Sequence, residues 1–314
     1  MPLVLRDADV RQLVDAGDAL EALDFAFREW AGGRAQNQPR RRVAAGVTLA
    51  IMSAALPARN LVGYKAYTAG KSGAQFWVHL FDGTDGRPLA VIEADWLGAL
   101  RTGAVSGLAT RALSRPGAST LALFGAGHQA MTQALAVAAV RPITEIRLVN
   151  RTPARRARFA ADLRRRLPEV RISEATGARE AIDGADVITT ITSAARPIVS
   201  GDWLVAGQHL NAAGSNVPTR RELDARAVSR ADLVVADDLE AARLEAGDLL
   251  LAEGEGALDW GRVHSLREAL TGSVARRQPG DVTLFKSVGL ALEDVALGAV
   301  VLDRATERGI GQHL

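Results

Sequence analysis

Two glycines, in the run Gly125-Ala126-Gly127-His128-Gln129-Ala130, follow the apolar segment Thr120 to Phe124 and open a helical pattern that starts at His128. Glycines in this position let the backbone turn tightly and approach a pyrophosphate, whose charge the N-terminus of the helix then stabilises. Ala130 stands where the third small residue of such a loop belongs. A second apolar strand pattern, Glu145 to Val149, ends in Asn150-Arg151-Thr152. A site that favours NAD has an acid at this point, about 20 residues on, to bind the ribose hydroxyls. Here no carboxylate repels a 2′-phosphate, Arg151 offers it a planar cation and Thr152 a hydroxyl, so NADP(H) is the expected cofactor and NAD(H) the alternative.

Other chemistry is bounded by what the 314 residues lack. With no cysteine, disulfides, thiolate metal sites and cysteine nucleophiles are excluded. The five histidines, His79, His128, His209, His264 and His313, have no metal-ligand spacing, so no metal is expected. No nucleophile elbow is present. The 38 basic and 36 acidic residues nearly balance, which argues against nucleic acid as a partner. Arg155, Arg156, Arg158, Arg164, Arg165 and Arg166 alternate on a helix with Phe159, Leu163 and Leu167, the pattern of a solvated outer face. Only Lys65, Lys71 and Lys286 are lysines, in a chain that otherwise uses arginine for its cations.

The elements that must position these groups divide in two. The first third carries helical pattern over Asp7 to Trp30, then strand patterns at Val43 to Leu56, Asn60 to Thr68, Gln75 to Phe81 and Pro88 to Glu93, the last two joined by a turn at Asp82-Gly83-Thr84-Asp85-Gly86. In Gln75 to Phe81 both faces are apolar, one suited to helices and the other to a second subunit. From Gly117 strands and helices alternate, through Val170 to Ser173, Asp186 to Thr192, Gly207 to Ala212, Asp232 to Ala236 and Val282 to Phe285, which specifies a parallel sheet. A final apolar helix runs from Leu290 to about Arg308. The expected class is α/β, a Rossmann-type doubly wound parallel sheet domain at 115–291 plus an α+β substrate-binding and dimerisation domain at 1–114 with 292–314. The uncharged stretch Gly117 to Val140 is broken by Gly125 and Gly127 and carries polar residues, so no membrane span is expected. Residues 1–20 lack a basic start and apolar core, and a cytoplasmic location is the expectation.

Five segments, Gly63-Tyr64-Lys65, Leu100-Arg101-Thr102-Gly103-Ala104, Gly125-Ala126-Gly127, His209-Leu210-Asn211-Ala212-Ala213-Gly214 and Leu284-Phe285-Lys286-Ser287-Val288-Gly289, resemble in order and spacing the ornithine cyclodeaminase and mu-crystallin family. The resemblance covers nearly the whole chain. It implies a homodimer in which the first domain, completed by the C-terminal helix, binds a small α-amino or α-imino acid and the middle of the chain binds the cofactor. It further implies that Lys65 and Arg101, with an arginine of the run Arg40-Arg41-Arg42, surround the substrate carboxylate. Alternation along a strand turns inward either Arg41 alone or Arg40 with Arg42, and spacing relative to Lys65 selects Arg41. A lysine in a partly dry site exchanges protons near neutrality, which makes Lys65 the catalytic candidate. From the resemblance alone, Thr102, Thr192, Ser193, Gly214, Asn216, Ser287 and Gly289 join Gly125, Ala126, Gly127, His128, Gln129, Asn150, Arg151 and Thr152 in the cofactor site, and Lys286 fixes its own loop.

One departure narrows the function. Cyclodeaminases and the related alanine dehydrogenases carry an aspartate two residues after the glycine at 214, whereas this chain has Asn216, an amide that takes up no proton at neutral pH. The expected activity is therefore NAD(P)H-dependent reduction of a cyclic or N-alkyl α-imino acid, a ketimine. The alternatives are an ornithine or lysine cyclodeaminase that releases ammonia with bound NAD+, and an amino-acid dehydrogenase or a cofactor-holding protein without turnover.

Overall fold

Short apolar runs between helices form one sheet of eight parallel strands, in the order Arg171–Glu174, Glu145–Val149, Thr120–Phe124, Val187–Thr190, His209–Ala212, Thr283–Lys286, Leu233–Ala236 and Val263–Ser265. Its central strands are buried on both faces, as helix-covered parallel sheets require. Ala130, Ala134 and Val137 of the helix His128–Val140 pack with Leu121, Leu123, Ile146 and Leu148 in one apolar core. The strand order reverses between Thr120–Phe124 and Val187–Thr190, and the crevice at such a switch point is where doubly wound sheets bind nucleotides.

The computed structural model describes all of residues 1–314, and its contacts divide them into Met1–Arg101 with Gly289–Leu314, and Thr102–Val288. The first division falls inside a helix, Asp95–Leu113, that sequence patterning missed. Residues 97–110 of this helix are all buried, so it has no 3.6-residue stripe to find. Past Arg101 it packs within the second unit. A side chain at Gly103 would meet the Thr132 carbonyl at 2.4 Å, so glycine lets this helix lie directly against the glycine-loop helix.

The other unit holds a mostly antiparallel sheet, ordered Gln312–His313, Leu3–Leu5, Pro88–Glu93, Gly73–Asp82, Leu61–Gly70, Val47–Leu56, Gln36–Asn37. The single strand expected over Val43 to Leu56 is instead a hairpin, Arg41–Ala45 then Val47–Leu56, because Gly46 takes a φ of +80° that turns the chain between two similar runs. The N-terminal helical pattern is likewise two helices, Asp7–Leu13 and Ala16–Ala31, the second capped by Asp15. Helix Ala291–Arg308 lies on one face of the sheet, against Val78, Leu80 and Ile92, close enough that a side chain at Gly298 would touch all three. The opposite face carries Ile51, Val62, Tyr64, His79 and Phe81, with Tyr64 and His79 stacked 4.6 Å apart. No helix is long and apolar enough to cross a membrane.

Candidate active site

Alternation in strand Leu61–Gly70 turns Leu61, Gly63 and Lys65 toward the helix-covered face, and Lys65 stands between Met52 and Val78 of the neighbouring strands. Its side chain is 3% exposed, and its ammonium pairs with Asp294 at 2.8 Å. Arg101 joins the same pair, with Nη1 2.7 Å from Glu293 and Nε 3.3 Å from Asp294. Glu293 and Asp294 are fully buried in the first turn of the C-terminal helix, where the helix dipole favours negative charge.

Arg40, and not Arg41, completes the cluster. It is buried, donates from Nη2 to the Gly289 carbonyl at 3.2 Å and lies over the Tyr67 ring, whereas Arg41 and Arg42 are exposed. The choice of Arg41 failed because Arg40 precedes the strand Arg41–Ala45, so strand alternation does not govern it. Three cations and two carboxylates are thus gathered in a nearly dry site. Burial pushes the Lys65 pKa down to about 8; Asp294 opposes this shift, and Arg101 and Arg40 add to it.

Sequence reasoning missed Glu293 and Asp294. Their signal is two adjacent acids inside the apolar run Val288 to Val301, where a charge without a partner would be costly. Gly289, expected among the cofactor residues, also touches this cluster: its φ is +81°, and a side chain would press on Arg101 Nη1 at 2.5 Å.

The second unit contains a cavity of about 770 Å³ at its switch point, lined by Gly125, Ala126, Gly127, Asn150, Arg151 and Thr152 among others, with Thr192, Ser193 and Ala194 on another side. Gly125 has a φ of +120°, and a side chain on it would meet the Ile191 carbonyl at 2.5 Å. Gly127 caps the helix and faces open space. This bare backbone beside a helix N-terminus fits a pyrophosphate, and the volume suits a cofactor. Arg151 and Arg155 are exposed at this cavity, while Arg156 is held by Glu174 at 3.0 Å. The arginine helix is therefore not solely the outer face expected of it.

The remaining expected residues divide by contact. His128 and Gln129 occupy the first turn of the helix beside the loop. Thr102 is buried, and its carbonyl accepts from Gln133 at 2.9 Å. Ser287 is buried with its amide on the Ala212 carbonyl, and Asn216 is half-buried on the loop after Gly214. Lys286, expected to fix its own loop, instead holds the loop after Gly214: it donates to the Ser215 carbonyl at 2.7 Å and pairs with Asp248 at 2.8 Å. His209 is a core group between Thr283 and Asn211, and burial lowers its pKa to about 3.

Comparison with known proteins adds to this geometry. A family model described as the ornithine cyclodeaminase/mu-crystallin family matches residues 1–309. A Delta(1)-pyrroline-2-carboxylate reductase of Bacillus cereus is 34% identical over 99% of both chains. The ketimine reductase mu-crystallin of Rattus norvegicus is 37% identical over 72% of this chain and 68% of its own. Among solved structures, Thermococcus litoralis Delta(1)-pyrroline-2-carboxylate reductase in complex with NADH and L-proline superposes with a TM-score of 0.95 at 31% identity, covering 99% of this chain and all of that one.

Proposed function

The chain belongs to the ornithine cyclodeaminase/mu-crystallin family, and from that membership and the buried cation cluster we propose that it reduces a cyclic α-imino acid to the corresponding α-amino acid with NADPH. The observation that carries this reading is the gathering of three buried cations around Lys65. Arg40, Lys65 and Arg101 lie together in a nearly dry place, which suits the recognition of a substrate carboxylate.

In this mechanism Arg40 and Arg101 clamp the carboxylate, which fixes the adjacent imine carbon and nitrogen. Lys65, with a pKa near 8, gives its proton to the imine nitrogen, and the resulting iminium carbon is the better hydride acceptor. Asp294 then stabilises Lys65 as solvent reprotonates it. The chemistry that a reduced nicotinamide would supply, when bound, is the hydride that this carbon accepts. Imine, hydride and proton together make the secondary amine, with no ammonia released. Asn216, which takes up no proton, suits this reaction better than deamination.

Gly125, Ala126 and Gly127 would hold the pyrophosphate. The Thermococcus relative carries NADH, so the preference for NADPH rests on this chain's own Arg151 and Arg155 at the cavity and on the absence of an acid after Val149. The apolar sheet face bearing Ile51, Val62 and Phe81 supports a homodimer as the working form.

The test follows NADPH and ammonia separately while the protein is given pyrroline-2-carboxylate, piperideine-2-carboxylate, ornithine or lysine. Oxidation of NADPH with the imines and no ammonia from the diamines is expected. Silence across the imines would overturn the proposal, and ammonia from ornithine would place the chain with the cyclodeaminases.

A further inference from the structure

Glu222 is a buried carboxylate of the dinucleotide unit to which the reading above assigns no part. Its Oε1 accepts from the amide and the hydroxyl of Thr192, both at 2.7 Å, and its Oε2 from the Thr190 hydroxyl and the Gly214 amide, both at 2.8 Å. A side chain at Gly214 would meet Glu222 Oε1 and the Thr192 backbone N and O, each at 2.5 Å, so the loops approach this closely only with glycine there. The Glu222 carbonyl in turn accepts from the amides of Ile198 and Val199. Its own amide donates to Asp248, which pairs with Lys286, which holds the Ser215 carbonyl.

These bonds join two loops, Thr192–Ala194 and Gly214–Asn216, that leave the C-terminal ends of the adjacent strands Val187–Thr190 and His209–Ala212. Ligands of open parallel sheets bind at those ends, and Thr192, Ser193 and Ala194 line the cavity. The Thr192 hydroxyl is already committed, donating to Glu222 and accepting from the Ala194 amide at 3.1 Å. Thr192 therefore acts on a ligand through the shape of its loop. Only a carboxylate accepts at both ends at once; glutamine has a single acceptor oxygen and would set an NH2 group against either the Thr192 or the Gly214 amide. Burial raises the Glu222 pKa, with Lys286 opposing that shift, and such a group is costly where two loops could be joined by apolar packing.

We propose that Glu222 is a positioning residue for hydride transfer, tying these loops together so that the nicotinamide end of the cofactor lies at one depth and tilt in the cleft. This rests on the dinucleotide reading of the same cavity. It separates the two ends of the cofactor: the adenosine end, at Arg151 and Thr152, does not depend on Glu222.

Glu222→Gln tests this. Its turnover with pyrroline-2-carboxylate is expected to fall about 100-fold, the scale of a small misplacement of reacting groups. The primary isotope effect with 4-deuterated NADPH should rise as hydride transfer becomes slower, while 2′-phospho-ADP-ribose, which lacks the nicotinamide, binds within about twofold of the parent. Turnover within about twofold of the parent would overturn the proposal. So would a loss of fragment binding equal to the loss of turnover, because Glu222 would then support the whole unit. If Glu222→Gln does not fold, Thr192→Val and Thr190→Val each remove one donor; the same split between turnover and fragment binding is expected, and unchanged kinetics in both would overturn it. A parent protein that binds neither NADPH nor NADH would instead overturn the dinucleotide reading.

Discussion

Lys65 Nζ and Asp294 Oδ1 stand 2.8 Å apart, both side chains sealed from water, although 229 positions separate them in the chain. Burial lowers the pKa of Lys65, the Asp294 carboxylate opposes that shift, and the pKa settles at about 8. In the proposed mechanism this pair makes the proton donor, with a pKa close to neutrality.

The pH dependence of turnover follows. If Lys65 acts in its protonated form, as proposed, kcat for imine reduction is level at lower pH and declines as pH rises through about 8. Asp294→Asn removes a charge that raises this pKa and moves the decline to lower pH. Arg40→Gln removes a charge that lowers it and moves the decline to higher pH. Profiles of kcat for the three proteins check both signs, and a limb that stays in place in both variants does not belong to Lys65.

The burial contrast between Arg40 and Arg41 gives a second prediction. Loss of a charged hydrogen-bond donor to a carboxylate costs about 1.5–3 kcal/mol, so Arg40→Ala should raise KM for the imino acid about 10- to 100-fold. Arg41→Ala, at an exposed position, should leave it within about twofold. Steady-state kinetics with the imino acid varied decide this, and the reverse order would return Arg41 to the site.

The dinucleotide unit was legible because its signals are local. Thr120–Phe124, the glycine loop and Glu145–Val149 lie in one continuous segment, and each strand is an apolar run of definite length. The substrate cluster was legible only in part. Lys65 and Arg101 stood out through resemblance, but their counter-charges come from the far end of the chain, and no spacing rule connects residue 65 to residue 294. Arg40 escaped because a loop residue follows no alternation, and helix Asp95–Leu113 because a helix buried on every side shows no stripe. Glu222 lies in a polar stretch, Pro218 to Glu222, with nothing to mark it until the fold buries it.

Cofactor choice should turn on Arg151. Arg151→Ala removes a cation at the adenosine end of the cavity and should lower kcat/KM for NADPH about 10- to 100-fold while leaving NADH nearly unchanged. The ratio of the two cofactors' kcat/KM values is the measurement. A fall shared equally by both would mean that Arg151 holds a group common to them.

Two glycines test the proposed division between substrate and cofactor sites. Gly289 has a φ of +81° and Gly125 a φ of +120°, so alanine is strained at either by about 1–3 kcal/mol. Their neighbours differ. At 289 the added carbon lies 2.5 Å from Arg101 Nη1, and the guanidinium must leave its place beside Glu293; at 125 it lies 2.5 Å from the Ile191 carbonyl, and the loop at the cavity must shift. Gly289→Ala is therefore expected to raise KM for the imino acid with little change in the NADPH dissociation constant. Gly125→Ala is expected to weaken NADPH binding first. Both should lower Tm by a few degrees, at about 2–4 °C for each kcal/mol in a unit of this size. Fluorescence titration of NADPH and kinetics with the imino acid varied test the pair together. If both variants lose cofactor binding alike, the loop around Gly289 serves the cofactor as well as Arg101, and the assignment of Gly289 to the carboxylate clamp fails.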